Sequence, residues 1–363
     1  MVPAPDVVTP EGSPPRRAER PELGRRLLVA VVLGLIVYAG LALWADLDGL
    51  GRALRAIPWW APVVACVLSL LNYLVRFPRW QRYLRLTGSE VSGWASLRIY
   101  LAGLALTVSP GKVGEAMKSW LLRAEDGTPV ARSAPIVLAE RLTDLLGFLV
   151  LIALTSTAAD HAWITAAALG LTAAVLLLVS SPAAARVLCA GTGRLPVVGP
   201  LAGRLEESLE ASRRLLSPRE LPAATLLAAA GWFLECVACW ILARSVLPPE
   251  AAADGLALAE VTYAFALSAV AGAVVVVAPG GLGVTEGLLT GLLERGYRSA
   301  GLAADAVRGT ALSVTLVTRL CTLWFAMAVG LVALRWHRAR SGRAARPEGQ
   351  RREGEDGRAG GEQ

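Results

Sequence analysis

Apolar residues in this chain fall in long blocks rather than in an alternating or one-faced pattern, and the blocks have the length of bilayer spans. A spanning helix takes about 20 largely apolar residues, and six stretches meet that requirement: 27–45, 60–76, 134–158, 162–180, 221–246 and 309–334. Two further apolar stretches, 97–122 and 259–294, are each interrupted by a proline–glycine break. The breaks read almost alike: Ser109-Pro110-Gly111-Lys112-Val113-Gly114-Glu115, and Ala278-Pro279-Gly280-Gly281-Leu282-Gly283 with Glu286 just beyond. Proline ends a helix and glycine lets the backbone turn, so each stretch reads as a helical hairpin. The arm from Val113 to Leu122 reaches only about 15 Å, half the hydrocarbon core, which favours a re-entrant segment. The arm from Glu260 to Val277 is longer, and whether that hairpin crosses fully stays open. The pattern predicts an all-α polytopic membrane protein with six full spans and two re-entrant helical hairpins.

Charge orients these elements. With the N-terminus in the cytoplasm, 28 of the 36 Lys and Arg residues fall on the inner side and 5 on the outer, as the positive-inside rule requires. The expected location is therefore the cell (plasma) membrane, multi-pass, with both termini cytoplasmic. In this topology the first hairpin enters from the cytoplasm and the second from outside, and each follows two spans and precedes a third. Residues 27–158 and 162–334 then form an inverted repeat within one transmembrane domain, 27–334. Glu140-Arg141-Leu142-Thr143-Asp144 and Thr318-Arg319-Leu320-Cys321-Thr322 place an Arg-Leu pair in the matching helix of each half. Segments 1–26 and 335–363 are rich in Pro, Arg, Gly and Glu and are expected as disordered tails, the second one basic. The first apolar run follows Arg25-Arg26 as a signal peptide would, but it is long for one and reads as a retained helix.

Composition agrees and narrows the function classes. Hydrophobic residues make up 55% of the chain, and the mean hydropathy is +0.52. The net charge of +7 suits anionic lipid heads, and no nucleic-acid motif accompanies it. Five cysteines, Cys66, Cys189, Cys236, Cys239 and Cys321, are odd in number and mostly lie in apolar runs, which argues against a disulfide framework. Cys236 and Cys239 form a lone C-x-x-C, and His161 and His337 are the only histidines, so neither a metal site nor a cofactor is expected.

Ionisable residues at or beside apolar segments mark the candidate site, because each lone charge there costs several kcal/mol. They are Lys112, Glu115, Lys118, Glu140, Arg141, Asp144, Glu286 and Arg319. The glycines and prolines of the breaks, Pro110, Gly111 and Gly114 and then Pro279, Gly280, Gly281 and Gly283, would act as gates whose restarted helices present free amides to an anion. Such a cluster either holds an anionic head or locks two helices together, and both readings stay open. Arg76, Arg79, Arg82 and Arg85, at spacing three beside Phe77, Trp80 and Tyr83, read as an interfacial helix. That helix is either an ordinary anchor or a phosphate-gathering entrance, with Arg76 and Arg79 as its binding candidates.

These motifs together resemble the lysylphosphatidylglycerol synthase transmembrane region, also called the flippase-like domain family. The resemblance rests on Arg76-x-x-Arg79-Trp80-x-x-Tyr83-Leu84, on Pro110-Gly111-Lys112-x-Gly114-Glu115 with Lys118, on Glu140-Arg141-x-x-Asp144, and on Pro279-Gly280-Gly281-Leu282-Gly283-Val284 with Glu286. It implies movement of charged lipids or lipid-linked sugars between leaflets, in some members ahead of a cytoplasmic aminoacyl transferase domain. With 28 residues after Arg335, that domain is not expected here. Lys112 and Lys118 stand where the family commonly has Arg, and Ser109 where it often has a larger polar residue. Loss of the bidentate fork points to a different headgroup preference.

Three functions follow as expectations. The first is a translocator for an anionic phospholipid or lipid-linked glycan, with Arg141, Lys112 and Arg319 neutralising the phosphate and the acids orienting them or carrying a proton. The second is a membrane transferase acting on a lipid phosphate, although no catalytic constellation is recognisable. The third is a scaffold for a separate cell-envelope synthase or transferase.

Overall fold

The computed structural model describes residues 47–107, 117–156, 162–181, 212–248, 256–274 and 279–344, with a few isolated positions besides. All regular structure among them is helical: α1 (Leu47–Ala56), α2 (Trp60–Leu86), α3 (Gly93–Ala102), α4 (Met117–Asp126), α5 (Val130–Thr155), α6 (Ala162–Ser180), α7 (Leu221–Ser245), α8 (Leu258–Val274), α9 (Val284–Ser299), α10 (Ala304–Arg319) and α11 (Phe325–Ala344). Short 3₁₀ turns follow α3 at Gly103–Leu106 and precede α9 at Pro279–Gly281. A π-turn at Leu320–Trp324 joins α10 to α11, so the chain is helical without a break from Ala304 to Ala344.

Three helices are long and apolar enough to cross a membrane: Trp60–Leu86, Leu221–Ser245 and Ala304–Arg340. The 27 residues of α2 reach about 40 Å, more than the hydrocarbon core. Two expected boundaries move. The span expected at 60–76 continues to Leu86, so the arginine helix expected at the interface is the second half of α2 rather than a separate element. It runs through Pro78 with the loss of one backbone bond. The last helix likewise continues ten residues past 334 to Ala344, so the first part of the expected C-terminal tail is helical. The expected span 27–45 lies almost wholly outside the described residues, as do the tail 1–26, residues 345–363 and the first proline–glycine break.

Local chemistry sets the visible ends. Ser92 caps α3 by accepting the Ala95 amide at 3.4 Å. Beyond α2, Gly88 has φ +75°, and the Ser89 amide returns to the Leu84 carbonyl at 3.1 Å. The second break contains three left-handed glycines, Gly280 (φ 63°), Gly281 (φ 71°) and Gly283 (φ 87°), a conformation with a steep steric penalty for any residue carrying a Cβ. They let α9 fold back onto α8, and the two helices pack side by side.

The apolar interior is divided into two cores. One gathers the second half of α5 and of α7 with α8, α9 and α10. The other gathers the second half of α2, the first half of α5 and of α7, and α3 and α4. Helices α2 and α7 cross between them in the most extensive helix contact of the fold, while α5 lies against α8 and α11 lies against α3. The outer face of α2 leaves Val63, Val67, Leu70, Leu71 and Leu74 exposed, a stripe suited to acyl chains. Exposed tryptophans sit near helix ends, Trp59 and Trp60 at α2, Trp94 at α3, Trp163 at α6 and Trp336 on α11, as in interfacial belts.

Candidate functional site

The junction of the two cores is polar. Arg76 and Arg79, one turn apart on α2, both reach Asp144 on α5: Arg76 Nη2 donates to Oδ2 at 2.5 Å and Arg79 Nη1 to Oδ1 at 2.8 Å. Arg79 Nη1 also donates to the Thr143 hydroxyl at 2.9 Å. Arg141, on the next position around α5, lies 3.4 Å from Asp144 Oδ2. Arg79 is 1% exposed and Arg76 7%. Of the two readings that the spacing left open, the ordinary interfacial anchor does not fit these two buried arginines. That role falls to Arg82 and Arg85, which face outward, Arg82 pairing at 2.6 Å with Glu220 at the start of α7. The physical reason lies in helix geometry: spacing three drifts around the helix, so successive arginines leave the buried face within two turns.

Around this pair lies a cavity of about 90 Å³, room for several water molecules. Cations Arg76, Lys118, Arg141 and Arg319 and acids Glu140 and Glu235 line it. Lys118 on α4 donates to Glu140 Oε2 at 2.8 Å, and its ammonium sits 5.0 Å from the ring centres of both Trp80 and Tyr100. Its stem packs over Gly103, where an added Cβ would fall within 2.6 Å of it. On the opposite wall, Gly231 of α7 leaves room for Asn72 and the Arg76 stem. One position on, the Trp232 ring stacks under the Arg76 guanidinium at 4.6 Å. Close α2–α7 crossing and a buried arginine thus depend on one missing side chain.

Arg319, the last residue of α10, joins the cavity to the second break. Its Nε donates to Glu286 Oε1 at 2.6 Å and its Nη2 to the Gly280 carbonyl at 2.8 Å. Glu286 is fully buried, and its other oxygen accepts the Gly283 amide at 2.6 Å, capping α9. One arginine therefore holds both the turn and the helix that restarts after it.

Of the residues expected from sequence, Arg76, Lys118, Glu140, Arg141 and Arg319 meet at the cavity, Arg79 and Asp144 form the layer behind it, and Glu286 stands behind Arg319. Lys112, Glu115, Pro110, Gly111 and Gly114 lie outside the described residues. Asn72, Tyr73, Tyr100, Trp232 and Glu235 also line the cavity and were not singled out. Glu235 carried a legible signal, a lone acid in the middle of the apolar run 221–246, whereas the aromatic and amide residues carried none. Among the described residues no cluster of His, Cys, Asp or Glu is suited to a metal ion.

The arrangement is rich in donors for an oxyanion. Arg76 Nε and Arg79 Nε and Nη2 are buried with no acceptor among the described residues, so the guanidiniums hold hydrogen-bonding capacity beyond their carboxylates. No curated protein matches the chain. The model of one protein family does, over residues 31–330, which takes in all of the helices just described except the end of α11. This chain is a membrane protein and belongs to the lysylphosphatidylglycerol synthase transmembrane-region family.

Proposed function

We propose that the protein is a lipid translocator, moving an anionic phospholipid or a lipid-linked glycan between the leaflets of the cell membrane. One observation carries the reading: four cationic side chains from both halves of the chain, Arg76, Lys118, Arg141 and Arg319, converge on a cavity between two apolar cores. Charges at this depth are retained where a pathway needs them. Guanidinium forks match the oxygens of a phosphate, the group common to both cargo classes. The family is itself named for a synthase of a phosphatidylglycerol derivative.

In this reading the chain crosses six times, two hairpins re-enter from opposite faces, and both termini are cytoplasmic. The packing supports the inverted repeat: α2 meets its counterpart α7, and each closing helix, α5 or α11, lies against the hairpin of the other half. Phosphate binding then acts as a gate. A phosphate oxygen competes with the Gly280 carbonyl and Glu286 for Arg319, and release of that grip frees the turn between α8 and α9. A cell-envelope synthase or transferase would use the lipid on the side of release.

The test is reconstitution into liposomes with fluorescent phosphatidylglycerol or a fluorescent lipid-linked glycan, followed by dithionite quenching of the outer leaflet. Protein-containing vesicles should lose nearly all their signal, and Arg141→Ala should return it to the protein-free level while the protein stays folded. A folded, monodisperse sample that moves neither class overturns the proposal.

A further inference from the structure

Every other acid of the site is matched to a cation. Glu140 has Lys118, Asp144 has Arg76, Arg79 and Arg141, and Glu286 has Arg319. Glu235, 4% exposed in the middle of α7, has no cation within ion-pair distance among the described residues. Its partner is an amide: Asn72 Nδ2 donates to Glu235 Oε1 at 2.6 Å. The same amide leaves its own oxygen, Asn72 Oδ1, buried with no donor among the described residues. An ionised carboxylate only accepts hydrogen bonds and cannot serve that oxygen. A neutral carboxylic acid has one O–H, the kind of donor that this oxygen lacks.

We infer that Glu235 carries an exchangeable proton whose occupancy is coupled to anion binding in the cavity. This rests on the translocator reading for the identity of the anion, and on the Asn72 pairing for the proton. The proton comes from water in the cavity, forms an O–H bond at Glu235, and returns to water when the site empties. Around Glu235 stand Tyr73 and Arg76 on α2, Asp144 and Arg141 on α5, and Arg319 on α10. Across the cavity are Tyr100 and the Lys118–Glu140 pair, and Cys236 and Cys239 follow on its own helix. The helix packed on its other side, α8, carries its titratable groups, Glu260 and Tyr263, in its first two turns.

Counting the described groups, five cations (Arg76, Arg79, Lys118, Arg141, Arg319) face four carboxyls. The cluster is left with a surplus of one positive charge when Glu235 is ionised and two when it is protonated. The protonated site therefore binds a phosphate monoanion better, and by reciprocity the bound phosphate holds the proton. Glu235 thereby supplies a means of linking lipid movement to a proton gradient.

The experiment labels the full-length protein in detergent with dicyclohexylcarbodiimide, which modifies protonated carboxyls in apolar surroundings, and maps the adducts by mass spectrometry across pH. Glu235 should be modified in a pH-dependent manner, with Glu140, Asp144 and Glu286 protected by their cations. Phosphatidylglycerol, against phosphatidylcholine as control, should raise the proton affinity by about 5- to 150-fold, the usual range of coupling between sites. Glu235→Gln, which still accepts from Asn72 and puts an amide N–H in place of the acid O–H, should fold normally and bind phosphatidylglycerol with no dependence on pH. Modification of Glu235 no greater than that of Asp144, or a labelling curve indifferent to phosphatidylglycerol, overturns the inference. If labelling and linkage hold but the dithionite assay shows no movement, the translocator reading fails and the proton–anion site stands.

Discussion

Substitution of Arg319 by alanine tests the grip on the second break. The change removes a charge-assisted bond to Glu286 Oε1 at 2.6 Å and another to the Gly280 carbonyl at 2.8 Å. Glu286 is 0% exposed and is left as a buried carboxylate with no cation. Removing one partner of a buried pair costs about 3–5 kcal/mol. The bond to Gly280 alone is worth about 1.5–3 kcal/mol, but it shares the same side chain, so the two figures overlap. A loss of about 4 kcal/mol is expected for Arg319→Ala. Glu286→Gln should cost less, about 2 kcal/mol, because glutamine still accepts the Gly283 amide and Arg319 keeps Gly280. The pair Arg319→Met with Glu286→Gln should be less destabilising than the sum of the two single changes by about 1–3 kcal/mol, as for groups in direct contact. Reversible unfolding in mixed micelles, by titration with a denaturing detergent, reads all of these. If Arg319→Ala stays within about 1 kcal/mol of the parent, or if the two changes are additive, Arg319 does not hold the hairpin and the gating argument fails with it.

Glycines of the second hairpin should respond with opposite signs. Gly281→Ala forces a left-handed residue with its Cβ 2.7 Å from Thr285 Oγ1 and should lose about 1–2 kcal/mol or more. Gly287→Ala, in open space inside α9, should gain about 0.5–1 kcal/mol in the same unfolding titration. Gly330→Ala on α11 drives a Cβ into the backbone of Leu104 and Ala105 and should lose about 1–3 kcal/mol, seen as a lower midpoint of thermal aggregation. At the end of α4, burial opposes ionisation of Asp126, but the hydroxyls of Ser89 and Thr128 and the Thr128 amide outweigh it and hold the carboxyl below its usual range. A depressed carboxyl contributes above its unfolded pKa and loses that contribution as pH falls through its folded one. The difference in stability between the parent and Ser89→Ala should therefore shrink on acidification below the ordinary aspartate range.

The helices were legible because spanning length and composition are local properties of the chain. Segments 162–180 and 221–246 appear with nearly the expected bounds as α6 and α7. The second break was legible for a like reason, since Pro279 and the left-handed glycines impose their geometry on the backbone by themselves. The pairing of charges was not. Spacing places Glu140 and Asp144 on one face of α5, yet it is silent on which cation comes to each, because Lys118, Arg76 and Arg79 arrive from other helices. Spacing left Arg76 and Arg79 between anchors and binding groups because Arg82 and Arg85 continue their pattern, and only tertiary packing divides the four. Asn72, Trp232 and Tyr100 are ordinary residues in apolar helices until Gly231 and Gly103 bring α2, α7 and α4 close enough to assemble a cavity wall.

The pairing of each cation with a carboxylate has a consequence for transport. Lys118, Arg76, Arg79 and Arg319 are all bound to carboxylates, and although Arg76 Nε and Arg79 Nε and Nη2 keep donors in reserve, a phosphate that draws on Lys118 or Arg319 must exchange for an existing partner. Opening one buried pair without replacement costs about 3–5 kcal/mol, and each charge-assisted bond to the incoming phosphate returns about 1.5–3 kcal/mol. Two or three such bonds balance one opened pair, so an anionic head can open the site, whereas a neutral head cannot. The cation whose release matters most is Arg319, because among the described residues it also grips the backbone of a break, at Gly280. Buried ion pairs add little net stability to a membrane core. Here their role is that of a latch which yields to phosphate, and Glu235, held by an amide instead of a cation, sets the charge against which that exchange takes place.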